Sequence, residues 1–213
     1  MLPLVFAAVG AAAAAVPINA PTAPSDFDTP AKVRSGIVLG LSFGGGLFGA
    51  SGYPNQSSQI GDPRYYSATG LMAGSADSLL IMGAISDYLN FGFWLGGNSS
   101  VNNHWQSTAG GGGIRVELFP LVRLYPRLMG LGLFGSFGIG GASMTSKEPN
   151  PAPEASGVQS FIGTGGFYEF SFGNFSGGHF GIGPSLEYDA VFSQPFERHG
   201  AVGSVRFVFY GGP

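Results

Sequence analysis

Apolar and polar residues alternate with period two along much of the chain, and residues 112–119 show the pattern most clearly. Ile114, Val116 and Leu118 fall on one face of an extended strand, because successive side chains of a strand point to opposite sides. Arg115 and Glu117 fall on the other face. A soluble sheet turns its apolar face to a core, whereas a barrel in lipid turns it outward and its polar face inward. One strand alone leaves both arrangements open.

The alternation recurs in eight segments that turn-forming residues separate. The predicted strands cover residues 35–48, 69–86, 89–97, 109–119, 130–143, 157–171, 179–190 and 199–210. A tilted strand needs about 9–11 residues to cross a bilayer, which suits these lengths. Long polar connections alternate with short ones, as in bacterial outer-membrane barrels. The pattern therefore predicts an all-β fold, an eight-stranded antiparallel up-and-down transmembrane β-barrel over residues 35–211.

The two sides of each predicted strand assign lipid-facing and cell-facing residues. Apolar residues opposite glycine or charge are expected to face lipid, namely Ile37, Leu39, Phe91, Phe93, Ile114, Val116, Leu131, Ile182, Leu186 and Phe207. The long connections at 53–66, 98–107, 146–155 and 192–197 are expected to form the cell-facing surface. Tyr65, Tyr66 and Trp105 in these connections are candidate contacts for an extracellular ligand. Both ends of the barrel segment would then lie on the periplasmic side.

Composition favours lipid as the surrounding of this sheet. Charged residues make up 10% of the 213 residues, where a soluble domain carries about 25%. The net charge is −3 without a basic run, so nucleic-acid binding has no electrostatic basis. Cysteine is absent, which excludes disulfides and thiol-ligated metal.

The N-terminal residues differ from the rest of the chain. The apolar, alanine-rich run in residues 1–20 predicts a secretory signal peptide. No Lys or Arg follows Met1, so either the start lies upstream or the run is an alanine-rich tail. Residues 21–34 are proline-rich and are expected to form a linker without a core of its own.

The chain resembles small eight-stranded outer-membrane barrels of the outer membrane protein A and outer membrane protein W type. The resemblance covers roughly residues 35–211 and includes an aromatic last strand, Ser204-Val205-Arg206-Phe207-Val208-Phe209-Tyr210. Such proteins usually end on the aromatic residue, whereas three residues follow it here. The resemblance implies the bacterial outer membrane as location, with membrane lipid and the barrel-assembly machinery as partners.

Four charged residues are predicted to meet inside the barrel. Two cations and two anions lie at similar distances from one rim and would form a neutral network that plugs the lumen at mid-height, namely Asp77, Arg115, Glu117 and Arg206. Charges in a narrow barrel are tolerable when they are paired and hydrogen-bonded. Trp94 and Phe134 are expected to pack nearby.

No motif specifies a catalytic, cofactor or metal site. Gly130-Leu131-Gly132-Leu133-Phe134-Gly135 matches the dinucleotide fingerprint by letter, but strand periodicity continues where a helix should begin. The three histidines are not predicted to converge on a metal. The favoured interpretation is a non-enzymatic barrel with a plugged lumen, serving as an envelope structural protein or surface-loop binder.

Two alternatives remain open. A lipid-modifying enzyme, an acyl hydrolase or transferase, would need catalytic groups at the outer rim, where Glu187, Asp189 and His199 are the candidates. A soluble ligand-binding barrel of the lipocalin kind would turn its apolar face inward.

Overall fold

The computed structural model describes residues 34–149, 152–175 and 177–212, and within them strands dominate. The strands are β1 (Gly36–Gly52), β2 (Ser67–Ser86), β3 (Leu89–Val101), β4 (Trp105–Leu118), β5 (Leu131–Ser146), β6 (Ala155–Tyr168), β7 (Phe170–Phe175), β8 (Gly178–Phe192) and β9 (Phe196–Gly211). Two short 3-10 helices cover Pro63–Tyr65 and Pro126–Leu128. In these described residues no helix is long and apolar enough to span a membrane. The predicted signal peptide and all but the last residue of the predicted linker lie outside the described residues.

The strands form one closed antiparallel sheet. Apart from β6 and β7, each strand pairs with its neighbour in sequence, and the pairing of β1 with β9 closes the sheet. β6 and β7 both pair with β8 and follow each other along one edge, interrupted only at Glu169. They therefore act as a single strand, and the barrel has eight. The prediction of an eight-stranded antiparallel barrel is confirmed, although its sixth strand was predicted as continuous to residue 171.

The hydrogen-bond register determines the tilt of the strands. From Val38, the row of paired residues crosses β2 at Met82 and continues through every strand. It returns to β1 at Phe48, ten residues beyond its start. A barrel closes with such a shear only if its strands tilt, typically by about 35–45°.

The inner and outer faces have opposite chemistry. All ten side chains predicted to face lipid lie on the outer face, and the most exposed are Leu186 at 67% and Phe93 at 65%. The charged Arg115, Glu117 and Arg206 lie on the inner face and are buried. This is the reverse of a soluble ligand-binding barrel, so the lipocalin alternative is wrong.

The two ends of the barrel differ in their connections. The long-loop end carries the connections 53–66, 102–104, 147–154 and 193–195, whereas the terminal end carries both barrel termini and the connections 87–88 and 119–130. The predicted loop at 98–107 is too long, because β3 runs to Val101 and β4 begins at Trp105. Asparagine and serine in this stretch suggested a loop. Ser100 and Ser107 instead lie in the strands, face inward and accept hydrogen bonds from the buried Arg198.

Candidate functional site in the barrel lumen

The lumen at the terminal end is organised around the buried carboxylate of Glu117. Arg206 donates to both oxygens of this carboxylate, with 2.8 Å from Nη2 to Oε2. Arg115 Nε donates to Oε1 at 3.0 Å, and the Asn90 amide donates to Oε2 at 3.2 Å. Glu117 is 0% exposed, so these donors replace water. Two-pronged contacts between arginine and carboxylate are among the stronger polar interactions in proteins.

Glu169, at the break between β6 and β7, extends the cluster. Its Oε1 lies 3.1 Å from Arg206 Nε, and its Oε2 accepts a hydrogen bond from the Tyr210 hydroxyl at 2.9 Å. Arg34 Nη2 approaches Oε2 to 3.8 Å. The sequence placed Arg34 in a linker without a core, which is wrong, since Arg34 is 2% exposed at the barrel mouth.

Each cluster arginine also lies over an aromatic ring. The distances from Cζ to the ring centroid are 3.5 Å for Arg34 over Phe119, 3.5 Å for Arg115 over Phe134 and 4.2 Å for Arg206 over Phe167. The four apolar side chains that cover the cluster are Phe119, Val122, Phe134 and Phe167. Two of them belong to the connection 119–130, which thereby covers the terminal end of the lumen. Stacking of a cation on a ring face adds attraction that does not need an acid.

The structure brings together three of the four charges predicted for the lumen and leaves out Asp77. Arg115, Glu117 and Arg206 meet as described, whereas the Asp77 side chain is exposed on the outer face. Its assignment to the lumen is wrong because β2 follows its apolar residues: Leu79 and Ile81 share the parity of Asp77 and face outward. Of the two expected neighbours, Phe134 contacts Arg115, and Trp94 packs on Phe161 with ring centroids 4.4 Å apart.

Above the cluster, towards the long loops, lies a small polar cavity. Its volume is about 40 Å³, and its walls include Trp94, Arg115, Glu187 and Asp189. Arg115 Nη1 lies 3.9 Å from Glu187, and Asp189 accepts from the Asn98 amide at 2.9 Å. A water molecule needs about 10–15 Å³ of such space, so the cavity holds no more than a few.

An apolar cluster lies at the long-loop end of the lumen. It consists of the buried residues Ala50, Met72, Trp105, Ala109, Ala142, Met144, Ala155, Val191 and Phe196. Trp105 belongs to it and is only 9% exposed, so the prediction that Trp105 is a surface contact is wrong. As the first residue of β4 it has inward parity, which a loop assignment concealed. Arg198 lies beside this cluster, stacked 4.4 Å from the Phe48 centroid.

The other two predicted surface aromatics lie in the connection 53–66. Tyr66 is 48% exposed, and its ring contacts that of Tyr53 with centroids 5.3 Å apart, whereas Tyr65 is half-buried. Nearby, hydrogen bonds from Arg64 lower the pKa of Asp62 from its ordinary value. This connection is the longest between strands at the long-loop end, so it is the part of the chain best placed to meet solutes.

The candidate catalytic residues do not share one site. Glu187 and Asp189 line the inner cavity, whereas His199 lies on the outer face, where its Nδ1 is 2.8 Å from the Tyr188 hydroxyl. Ser51, also outward, donates to Glu197 at 3.2 Å rather than to a histidine. A Ser-His-acid site places a histidine base beside the serine hydroxyl, whereas Ser51 bonds a carboxylate directly. Among the residues that the structure describes, no three His, Asp or Glu side chains are grouped to hold a metal.

Comparisons with known proteins find likeness in architecture. No protein-family model matches the chain, and no curated protein matches its sequence. Ail, the attachment invasion locus protein of Yersinia pestis, is 7% identical with a TM-score of 0.47, over 82% of this chain and 99% of that chain. The N-terminal β-barrel domain of Pseudomonas aeruginosa OprF is 14% identical with a TM-score of 0.44, over 82% and 98%. Neisserial surface protein A is 9% identical with a TM-score of 0.39, over 81% and 97%.

The distribution of apolar and charged side chains over the barrel indicates that the protein lies in a membrane. A closed antiparallel sheet satisfies its backbone hydrogen bonds without water, which the interior of a bilayer requires. Its outer face carries large apolar side chains around the whole circumference, and its inner face carries the charges. Barrels with this arrangement and an even strand count are those of bacterial outer membranes. The chain is a small eight-stranded β-barrel of the bacterial outer membrane, similar in architecture to these three proteins.

Proposed function

We propose that this protein is a non-enzymatic structural barrel of the outer membrane whose lumen is closed to ions. The observation that carries the proposal is the filling of the lumen at three successive levels. Aromatic and ion-paired side chains fill the terminal end, the cavity above them measures about 40 Å³, and an apolar cluster fills the long-loop end. Eight strands enclose little more than their own side chains. Such an interior supports rigidity rather than transport.

The charge content of the lumen agrees with a static role. The described inward-facing cations are Arg34, Arg115, Arg198 and Arg206, and the inward-facing anions on the wall are Glu117, Glu169, Glu187 and Asp189. A fifth buried anion at the barrel mouth, Asp87, pairs with the half-exposed Arg123. A permeation pathway that selects ions usually carries an excess of one sign along its lining. A balanced set instead cross-links the inner wall, because Arg115 and Arg206 each pair with a carboxylate on another strand. Arg206 of β9, for example, bonds Glu117 of β4 across the lumen.

We infer two partners from the outer wall and the last strand. Membrane lipid contacts the apolar belt, and the barrel-assembly machinery inserts the chain. β9 supports the second inference because Val205, Phe207 and Phe209 alternate outward along it, as in terminal strands that this machinery reads. The terminal end, with residues 34–35 and 212, would lie in the periplasm and the long loops outside the cell.

Conductance of the purified protein in planar lipid bilayers tests the closed lumen. We expect the wild type to insert without steady single-channel current, because side chains of the described residues occupy the lumen at all three levels. A conducting porin treated in the same way shows that insertion and recording work. Steady, reproducible current steps from the wild type would overturn the proposal.

The structural role is tested separately in cells. Deleting the gene should raise the sensitivity of the cells to detergents, and the wild-type gene should restore resistance. A variant with the connection 53–66 replaced by a short turn should restore it equally, because the proposed role depends on the barrel wall. Failure of this variant, with normal levels of folded protein, would favour binding through the loops instead.

A further inference from the structure

Asp77 lies on the outer wall in the middle of the barrel, where a membrane protein normally presents apolar side chains. It is ten residues from the first residue of β2, Ser67, and nine from the last, Ser86. Its cross-strand partners are Phe43 of β1 and Gly97 of β3. Of the outward-facing side chains in the described strands, only Asp77 and Glu197 carry a formal charge, and Glu197 is next to the end of β9. Asp77 is thus a carboxylate in the lipid belt.

Nothing described on the barrel itself satisfies this carboxylate. Its side chain forms no hydrogen bond or ion pair with residues 34–149, 152–175 or 177–212, and its neighbours in the sheet are a phenylalanine and a glycine. Ionisable groups at such depth are expensive in hydrocarbon, and those that occur face protein or a water-filled space. The Asp77 side chain does not point into the lumen, because β2 turns its other parity inward. A hydrogen-bond donor must therefore come from outside the described part of the barrel.

Beside Asp77, towards the long loops, the outer wall carries hydroxyl groups instead of large apolar side chains. Paired residues form one continuous outward row across five strands, from β2 to β6: Ser75, Ser99, Thr108, Ser143 and Ser156. Thr108 and Ser143 bond each other at 3.1 Å. Ser75 and Ser99 are exposed and make no side-chain hydrogen bond to the described part of the chain, so their hydroxyls can donate. Gly97 and Gly110 pair with each other next to these hydroxyl groups and add no side chain to the outer surface.

We propose that this surface, the Asp77 patch (Ser75, Asp77, Gly97, Ser99, Thr108 and Gly110), binds a second copy of the same chain within the membrane. The patch contains an acceptor, the Asp77 carboxylate, together with donors, the serine hydroxyls. In a two-fold symmetric dimer the same surface meets itself, so the donors of one copy reach the acceptor of the other. Small side chains allow the outer surfaces of the two barrels to approach closely, as small residues do between helices in membranes. Lipid tails offer no donor, and no Lys or Arg on the outer face of the described strands competes for Asp77.

The oligomeric state in lipid vesicles tests the dimer. Fluorophore-labelled protein is counted by single-molecule photobleaching at a series of protein-to-lipid ratios. We expect wild-type dimers and loss of the dimer in Asp77→Leu and in Ser99→Trp, whose indole holds the walls apart. Gly203→Leu is the matched control, because Gly203 lies on the outer face of β9 with open space around its Cβ position, and it should remain dimeric. Heat-dependent mobility on gels verifies that each variant is folded.

Cross-linking then locates the contact, which the absence of cysteine makes simple. Single cysteines at Ser75, Gly97 and Ser99 should give disulfide-linked dimers at one position or more, whereas Gly203→Cys should not. A monomeric wild type at every ratio, or dimers that survive both Asp77→Leu and Ser99→Trp, would overturn the proposal. So would a cross-link in native membranes to a different protein in place of a second copy. None of these outcomes bears on the conductance of the barrel, so the two proposals fail independently.

Discussion

At the scale of single residues, Glu117 decides how the lumen is held together. One buried carboxylate accepts from Arg206, Arg115 and Asn90, which belong to three different strands. Burying an ion pair brings little net stability, but removing one member leaves an uncompensated charge. Removing a single charged residue of the cluster should therefore lower the free energy of unfolding more than replacing all its charged residues with apolar ones.

Arg206→Ala should lower the free energy of unfolding by about 3–5 kcal/mol, because Glu117 would remain buried without its two-pronged partner. Urea titration of protein folded into lipid vesicles measures this. Arg64→Ala is the control: Arg64 also bonds a carboxylate, Asp62, at 2.6 Å, but its side chain is 81% exposed. An exposed pair contributes about 0–1 kcal/mol. Equal losses in the two variants would show that burial of the Glu117 cluster does not matter.

Individual charges also show where sequence pattern succeeds and where it fails. The parity of Arg115, Glu117 and Arg206 opposite clear apolar faces was enough to place them inside. Asp77 was predicted to face the lumen only because its depth along β2 matched that of the other three charges. It faces outward in the structure because it shares its parity with the apolar Leu79 and Ile81. Arg34 was missed because it precedes the first predicted strand. Glu169 was missed because the sixth predicted strand, 157–171, carries aromatic residues on both faces, so its parity did not indicate which side faces inward. Their roles depend on contacts between residues distant in sequence, which periodicity does not encode.

At the scale of elements, a β-bulge in β2 changes which of its residues face the lumen. Near the long-loop end of β2 the register with β1 shifts between Gly49 and Ser51, opposite Gly70. Ser67 and Thr69 face inward before the shift, and Met72 faces inward after it, so the inward parity changes. Gly70 has a φ of +63°, a left-handed conformation that residues with a Cβ disfavour. The bulge keeps Met72 in the apolar cluster.

Gly70→Ala should destabilise the barrel by roughly 1–2 kcal/mol, the cost of a left-handed L-residue. The Cβ would meet no atom within 4 Å, so backbone strain is the only new term. Gly135→Ala is the matched control, because Gly135 also has open space on the outer face but no positive φ. Unfolding in vesicles compares them. If Gly135→Ala cost as much as Gly70→Ala, the strain at the bulge would not be the cause.

Residues on the outward face of β4 are expected to lie at different depths in the bilayer. Ile114 lies four residues from the terminal end of its strand, and Leu118 is its last residue. Ile114→Arg should cost about 2–4 kcal/mol near the bilayer midplane, and Leu118→Arg about 0–1 kcal/mol close to the interface. Urea titration in vesicles measures both variants. A soluble setting for this face would make both substitutions nearly neutral.

At the scale of the whole molecule, closure of the sheet and closure of the lumen are separate properties. Sequence pattern predicted the first well, because strand count, strand length and the alternation of connections are all local. It predicted a lumen plug made of charges at mid-height. The structure instead places the charges towards the terminal end and an apolar cluster with Trp105 and Met144 at the other. Which inward residues meet depends on the ten-residue shear, and no single strand carries that information.

The accessibility of a single cysteine in the lumen tests the account most directly. Ser204 lies on the inner wall beside the small cavity and bonds Ser42 at 2.9 Å. Ser204→Cys introduces the only thiol in the chain with little change of volume. In protein folded into vesicles, we predict no labelling by a charged, membrane-impermeant thiol reagent applied to either side, and full labelling after unfolding in urea. Rapid labelling of the folded barrel from either side would contradict a closed lumen.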